Sequence, residues 1–237
     1  MKSMLSVFCS LLICNLCFSQ EKITGIGKLK LFSSANVIKE IGYIKEPILV
    51  TSEREYLSKV YKKYENKELY LLGISENKND KIARVPFCDS VKVYYIPSYI
   101  PVDGVVLSGI TLKFFNDSLY SIMIDSPDGL RAALTLKYGK PEHEKKEKER
   151  IFVNGLGIEI TKIDSEYTTT WEKENKEISC YYFSKFYHSD KGELNHFEYF
   201  SLFNVPMADN VEKIDKENTK KIIDKEENER RKKLDVL

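Results

Sequence analysis

Histidine is scarce, apolar runs long enough to cross a bilayer are missing, and neither sign of charge dominates. Three histidines are little material for a metal centre, which must gather three or four nitrogen, sulfur or carboxylate ligands at one point. Past residue 18 no apolar stretch approaches the roughly 18 residues that a membrane-crossing helix needs. Lys and Arg number 37 against 36 Asp and Glu, so no net field pulls the chain toward nucleic acid or an anionic membrane. A G-x-S-x-G nucleophile elbow is absent, and Gly25, Gly27, Gly155 and Gly157 fall into no phosphate-cradling pattern. Nothing in the spacing of the many carboxylates selects an acid–base pair. No cofactor is implied.

Cysteine is sparse in an informative way. Of five, Cys9, Cys14 and Cys17 lie in the opening stretch, where Lys2 is followed by an apolar run from Met4 to Phe18 and by small residues at Cys17 and Ser19. That order predicts a cleaved secretory leader over residues 1–19 and an exported chain, secreted or periplasmic. Its cysteines follow Phe8, Ile13 and Leu16 rather than a small residue, which argues against lipidation. Loss of Lys2 with the leader would leave the remainder without net charge. Cys88 and Cys180 then remain in an oxidising compartment, where a disulfide between them is the expectation.

What the chain does have is aromatic and apolar residues in strand and helix periods, with 42% hydrophobic and 12% aromatic content. The centre is the easiest part to read. Val105 to Phe115 and Leu119 to Asp125 alternate as two strands about Asn116, Asp117 and Ser118. A three-residue loop would pair Phe115 with Leu119, Leu112 with Ile122 and Ile110 with Ile124, placing the apolar residues on one face. Ser126 as cap, Pro127 and Asp128 then predict the start of a helix. Leu130, Ala133, Leu134 and Tyr138 form its buried stripe, and Gly139 and Pro141 stop it.

Before this unit, residues 20–96 read as an α+β part. A strand is expected over Lys28 to Phe32, and a brief helix carries Val37, Ile38 and Ile41 on its buried side. A capping-box helix is expected over Ser52 to Tyr64, and strands over Leu69 to Ile74, Ile82 to Val85 and Ser90 to Ile96. Pro97, Pro101 and Gly104 make 97–104 the expected connection between parts. After it, 105–207 holds the central unit and an antiparallel meander with turn signals at Asn154 to Gly157, Asp164 to Glu166, Lys173 to Lys176 and Ser189 to Gly192. Residues 208–237 are densely charged in both signs, as a solvated helix or a disordered tail. The fold class is α+β, mainly antiparallel sheet with two or three short amphipathic helices and a charged C-terminal helix.

The last two expected strands concentrate Tyr and Phe. A face presenting Tyr181, Tyr182, Tyr187 and Tyr199 could stack sugar rings or take a partner's apolar side chains. His188 and His196, with Asp190 and Glu193 between them, lack an evident third ligand. The reading that follows is a non-catalytic binding or interaction protein of the cell envelope whose partner is an envelope protein or a glycan. The alternative is a secreted hydrolase of glycan or peptide with a site assembled only in the fold.

Overall fold

The computed structural model describes residues 22–43, 48–49, 69–71, 86–102, 105–153, 155–171 and 176–234. The leader expected over 1–19, the helix over 52–64 and the strand over 82–85 lie outside them.

Among the described residues eleven strands and three helices follow in order: β1 (Gly25–Ile26), β2 (Leu29–Lys30), α1 (Val37–Glu40), β3 (Ile48–Leu49), β4 (Leu69–Leu71), β5 (Val91–Val102), β6 (Val105–Phe115), β7 (Ser118–Asp128), α2 (Leu130–Tyr138), β8 (Glu142–Val153), β9 (Glu159–Thr170), β10 (Ile178–His188), β11 (Leu194–Asn204) and α3 (Val205–Leu234). Seven long strands, β5 to β11, with two short ones at one edge, form a sheet ordered β3-β4-β5-β6-β7-β11-β10-β9-β8. All its pairings are antiparallel except β4 with β5. The molecule is α+β and mainly antiparallel. After β7 the chain crosses by α2 to the far edge, then meanders back until β11 lies against β7.

The central hairpin keeps the core register expected from its apolar pattern, with Leu112 opposite Ile122 and Ile110 opposite Ile124. It reaches that register differently. The turn has two residues, Asn116 and Asp117, both with positive φ (49° and 62°), as a type I′ turn requires. Phe115 therefore pairs with Ser118 and Phe114 with Leu119, and a bulge restores the frame by the next pair, Lys113 with Ser121. The extra residue is Tyr120. The bulge leaves Tyr120 on the same side as Ser121, facing α3, while Leu119 and Ile122 share the other core.

Two expectations fail next to this hairpin because strand pairing runs further than local signals suggest. Ser126, Pro127 and Asp128 do not begin the helix. They continue β7, paired with Ser108, Leu107 and Val106, and Gly129 at φ 74° turns the chain into α2. Likewise 97–102 is not a connection but the outer half of β5, with Ser98 opposite Ser108 and Val102 opposite Val105. Among the described residues β5 meets β4 from Val93 to Tyr95, and Pro97 and Pro101 lie past that paired stretch, where a strand tolerates proline.

The larger core lies on one face of the sheet. Leu130, Leu134 and Tyr138 of α2 and Val37 and Ile38 of α1 cover Ile96, Ile110, Leu112, Phe114, Ile122, Ile124, Phe200 and Leu202. Burying each such Ile or Leu contributes about 1.5–3 kcal/mol. On the other face Val211 of α3, with Met207, Ala208 and Ile214 beside it, packs on Cys88, Val91, Val93 and Tyr120. Cys180 belongs to the first core and Cys88 to the second. No disulfide joins them, because the sheet stands between.

The expected turn at Asp164 to Glu166 is also absent, and β9 runs straight through it. No helix among the described residues is long and apolar enough to cross a membrane.

Candidate functional site

Strand alternation sorts the aromatic residues of β10 and β11. The register sets Tyr181 opposite Ser201, Phe183 opposite Tyr199, Lys185 opposite Phe197 and Tyr187 opposite Asn195. The odd-numbered rings Tyr181, Phe183, Tyr187, Phe197, Tyr199 and Phe203 therefore share one face, the face on which α3 lies. All six are half-buried. They touch in sequence: Tyr187 with Phe197 at 6.0 Å between centroids, Phe197 with Phe183 at 5.7 Å, Phe183 with Tyr199 at 5.3 Å, Tyr199 with Tyr181 at 6.0 Å and Tyr181 with Phe203 at 6.3 Å. Edge-on and tilted contacts of this kind favour ring quadrupoles and hold the row in place.

Of the four tyrosines singled out from the sequence, three come together on this face. Tyr182 does not. It points to the opposite side, where its hydroxyl donates to Glu198 and its ring lies 5.8 Å from the Arg131 guanidinium of α2. The phenylalanines of the row were not singled out, although the i, i+2 spacing of Phe197, Tyr199 and Phe203 with Phe183 and Tyr187 carries the signal.

At Phe203 the row runs into an open cleft of about 410 Å³ between α3 and the sheet, lined also by Pro86, Lys113, Tyr120, Ser121, Asp209, Val211, Glu212 and Asp215. Its phenol and two of its carboxylates are held by surrounding structure. Burial, with the nearby Cys88 and Asp215, raises the Tyr120 phenol well above its ordinary value. The Glu212 carboxyl is lowered by its hydrogen bond and charge attraction to Lys216. Asp215 accepts the Phe87 backbone N–H at 2.6 Å. In the row itself, burial and then the hydrogen bond with Tyr181 raise the Tyr199 phenol. The Tyr199 phenol therefore stays uncharged at neutral pH, and Lys185 on the same face is paired with Glu166 of β9.

The histidines go to separate partners. His188 Nδ1 donates to Asp164 Oδ1 at 2.9 Å, and Arg150 braces the same carboxylate at 3.7 Å. His196 stacks on Phe186 with centroids 4.2 Å apart and bonds Ser184 at 3.0 Å. His143 bonds Thr169 at 3.0 Å. Among the described residues no cluster of three or more His, Cys, Asp or Glu is placed to hold a metal ion.

Comparison with protein-family models, with curated proteins and with solved structures gives no match for this chain.

Proposed function

We propose that this protein is an exported, non-catalytic binding protein of the cell envelope that receives its partner on the aromatic face of β10 and β11. The single observation that supports the reading is the row of six rings from Tyr187 to Phe203, all half-exposed on one face and opening at one end into a cleft. A row of this size and rigidity offers amphipathic contact area at low conformational cost, because a Tyr or Phe ring has only two torsions to fix. Uncharged phenols add hydrogen-bonding tips, suiting a glycan or the apolar side chains of an envelope protein. Against hydrolysis, the Glu212 carboxyl in the cleft is lowered by Lys216, whereas a general acid needs a carboxyl raised, and Asp215 is engaged with the Phe87 backbone N–H.

The experiment is capture of envelope glycans and proteins by the exported chain, with Tyr181→Ala, Phe197→Ala and Tyr199→Ala compared with Tyr182→Ala on the opposite face. Each of the first three is expected to weaken retention about tenfold or more, while Tyr182→Ala leaves it unchanged. Retention that ignores the first three would move the binding surface elsewhere. Turnover of a captured glycan or peptide would replace the reading with hydrolysis.

A further inference from the structure

β8 is the outermost strand of the sheet, and among the described residues β9 is its one neighbour. Its side chains from Glu142 to Glu149 are exposed. A long edge of this kind presents alternate N–H and C=O groups as a template for another strand. Lysines on an edge commonly guard against such pairing, but guarding needs charge without any particular order. Here the order is a mirror of opposite signs. Counting outward from Lys146, Lys145 has Glu147 as its counterpart, Glu144 has Lys148, His143 has Glu149 and Glu142 has Arg150.

We propose that β8 pairs antiparallel with β8 of a second copy about a twofold axis through Lys146, joining two sheets into one. In that register Lys145 faces Glu147 and Glu144 faces Lys148, each pair occurring twice, with His143 opposite Glu149 and Glu142 opposite Arg150 further out. Lys146 meets its own copy, but its ammonium is exposed and held within its strand by Glu144 at 3.2 Å.

Other registers do worse. A twofold at Lys145 leaves three facing pairs within β8 where the one at Lys146 has four, and past the strand end it brings Arg150 against Lys140. One at Glu147 sets Glu147 on itself and Lys146 against Lys148. Centres between residues oppose Lys145 to Lys146 and Glu144 to Glu147, or Lys145 to Lys148 and Glu144 to Glu149. Like charges directly opposite each other destabilise an antiparallel pair. Because the favoured axis passes through a residue, it stands normal to the sheet and matches each face with the same face of the copy. Both aromatic rows then lie on one side of the joined sheet.

Positions 144 and 148 are about 13 Å apart along a strand, too far to pair within one chain, so a charge swap between them reports on the second copy alone. Sedimentation of the full chain over a concentration series at low salt is expected to show a dimer that added salt weakens. Lys148→Glu and Glu144→Lys should each weaken it about tenfold. The double variant E144K/K148E should restore it, and an equal mixture of the two single variants should form a heterodimer. Lys145→Glu mixed with Glu147→Lys repeats the test on the other face, should Lys148→Glu disturb folding beside Asp164. A chain monomeric throughout, a dimer indifferent to the single changes, or mixtures that fail to associate would each overturn the proposal.

Discussion

Asp164 shows how much one side chain can organise. Its carboxylate accepts from both the His188 ring and the His188 backbone N–H, while Arg150 reaches it from β8 and donates to the His188 carbonyl. One acceptor thereby ties β8, β9 and β10 together near the end of the meander. Partial desolvation works to raise this carboxyl, but the His188 hydrogen bonds and the Arg150 charge outweigh it, and the net direction is down from the ordinary 3.8. A group depressed in the folded state adds stability above its unfolded value and loses it as pH falls through the folded one. Comparing Asp164→Asn with the native chain, the unfolding midpoints should therefore differ above about pH 5. They should converge on acidification below the ordinary aspartate range. A gap that persists unchanged into acid would mean that Asp164 acts by shape and not by charge.

At the scale of elements, α3 is a clasp, although its composition suggests only a solvated rod. Its first half carries Val211, buried against Val91, Val93 and Tyr120. One turn on, Asp215 accepts from the Phe87 N–H at 2.6 Å, and Asn218 donates to the Phe87 carbonyl at 2.8 Å. These two side chains supply the hydrogen bonds that a neighbouring strand would otherwise give to that segment. Asp215→Ala leaves a partly buried N–H without this acceptor and should cost about 1–3 kcal/mol in denaturant unfolding. A cost near zero would mean that water replaces the carboxylate and that α3 is held by Asn218 and the apolar side chains around Val211. This clasp was not legible in the sequence, because its two partners lie far apart along the chain and the charge density around Asp215 hides it. The stripe of α2 and the alternation of β6 and β7 were legible, being local periods. Ser126, Pro127 and Asp128 misled for the same physical reason: their capping chemistry is real, yet pairing with Ser108, Leu107 and Val106 extends the strand past it.

In the whole molecule the sheet is a partition, and that decides the fate of the cysteines. Composition and compartment argue for a bond between Cys88 and Cys180, and nothing in a linear sequence states which face of a sheet each will occupy. The register does: Cys180 stands opposite Leu202 in the core under α2, whereas Cys88 packs with Tyr120 and Val211 beneath α3. Cys180 points from β10 to one side of the sheet and Cys88, just ahead of β5, packs on the other, and a disulfide needs Cα atoms within about 7 Å. Each thiol instead serves as a small apolar residue in its own core. Reductant should then leave the unfolding midpoint of a chain lacking residues 1–19 where it was, and both thiols should react with a thiol reagent only as the protein unfolds. A midpoint that falls on reduction by the several kcal/mol a loop of this length can contribute would require Cys88 to reach through the sheet. The arrangement of two cores on opposite sides of the sheet would then be wrong.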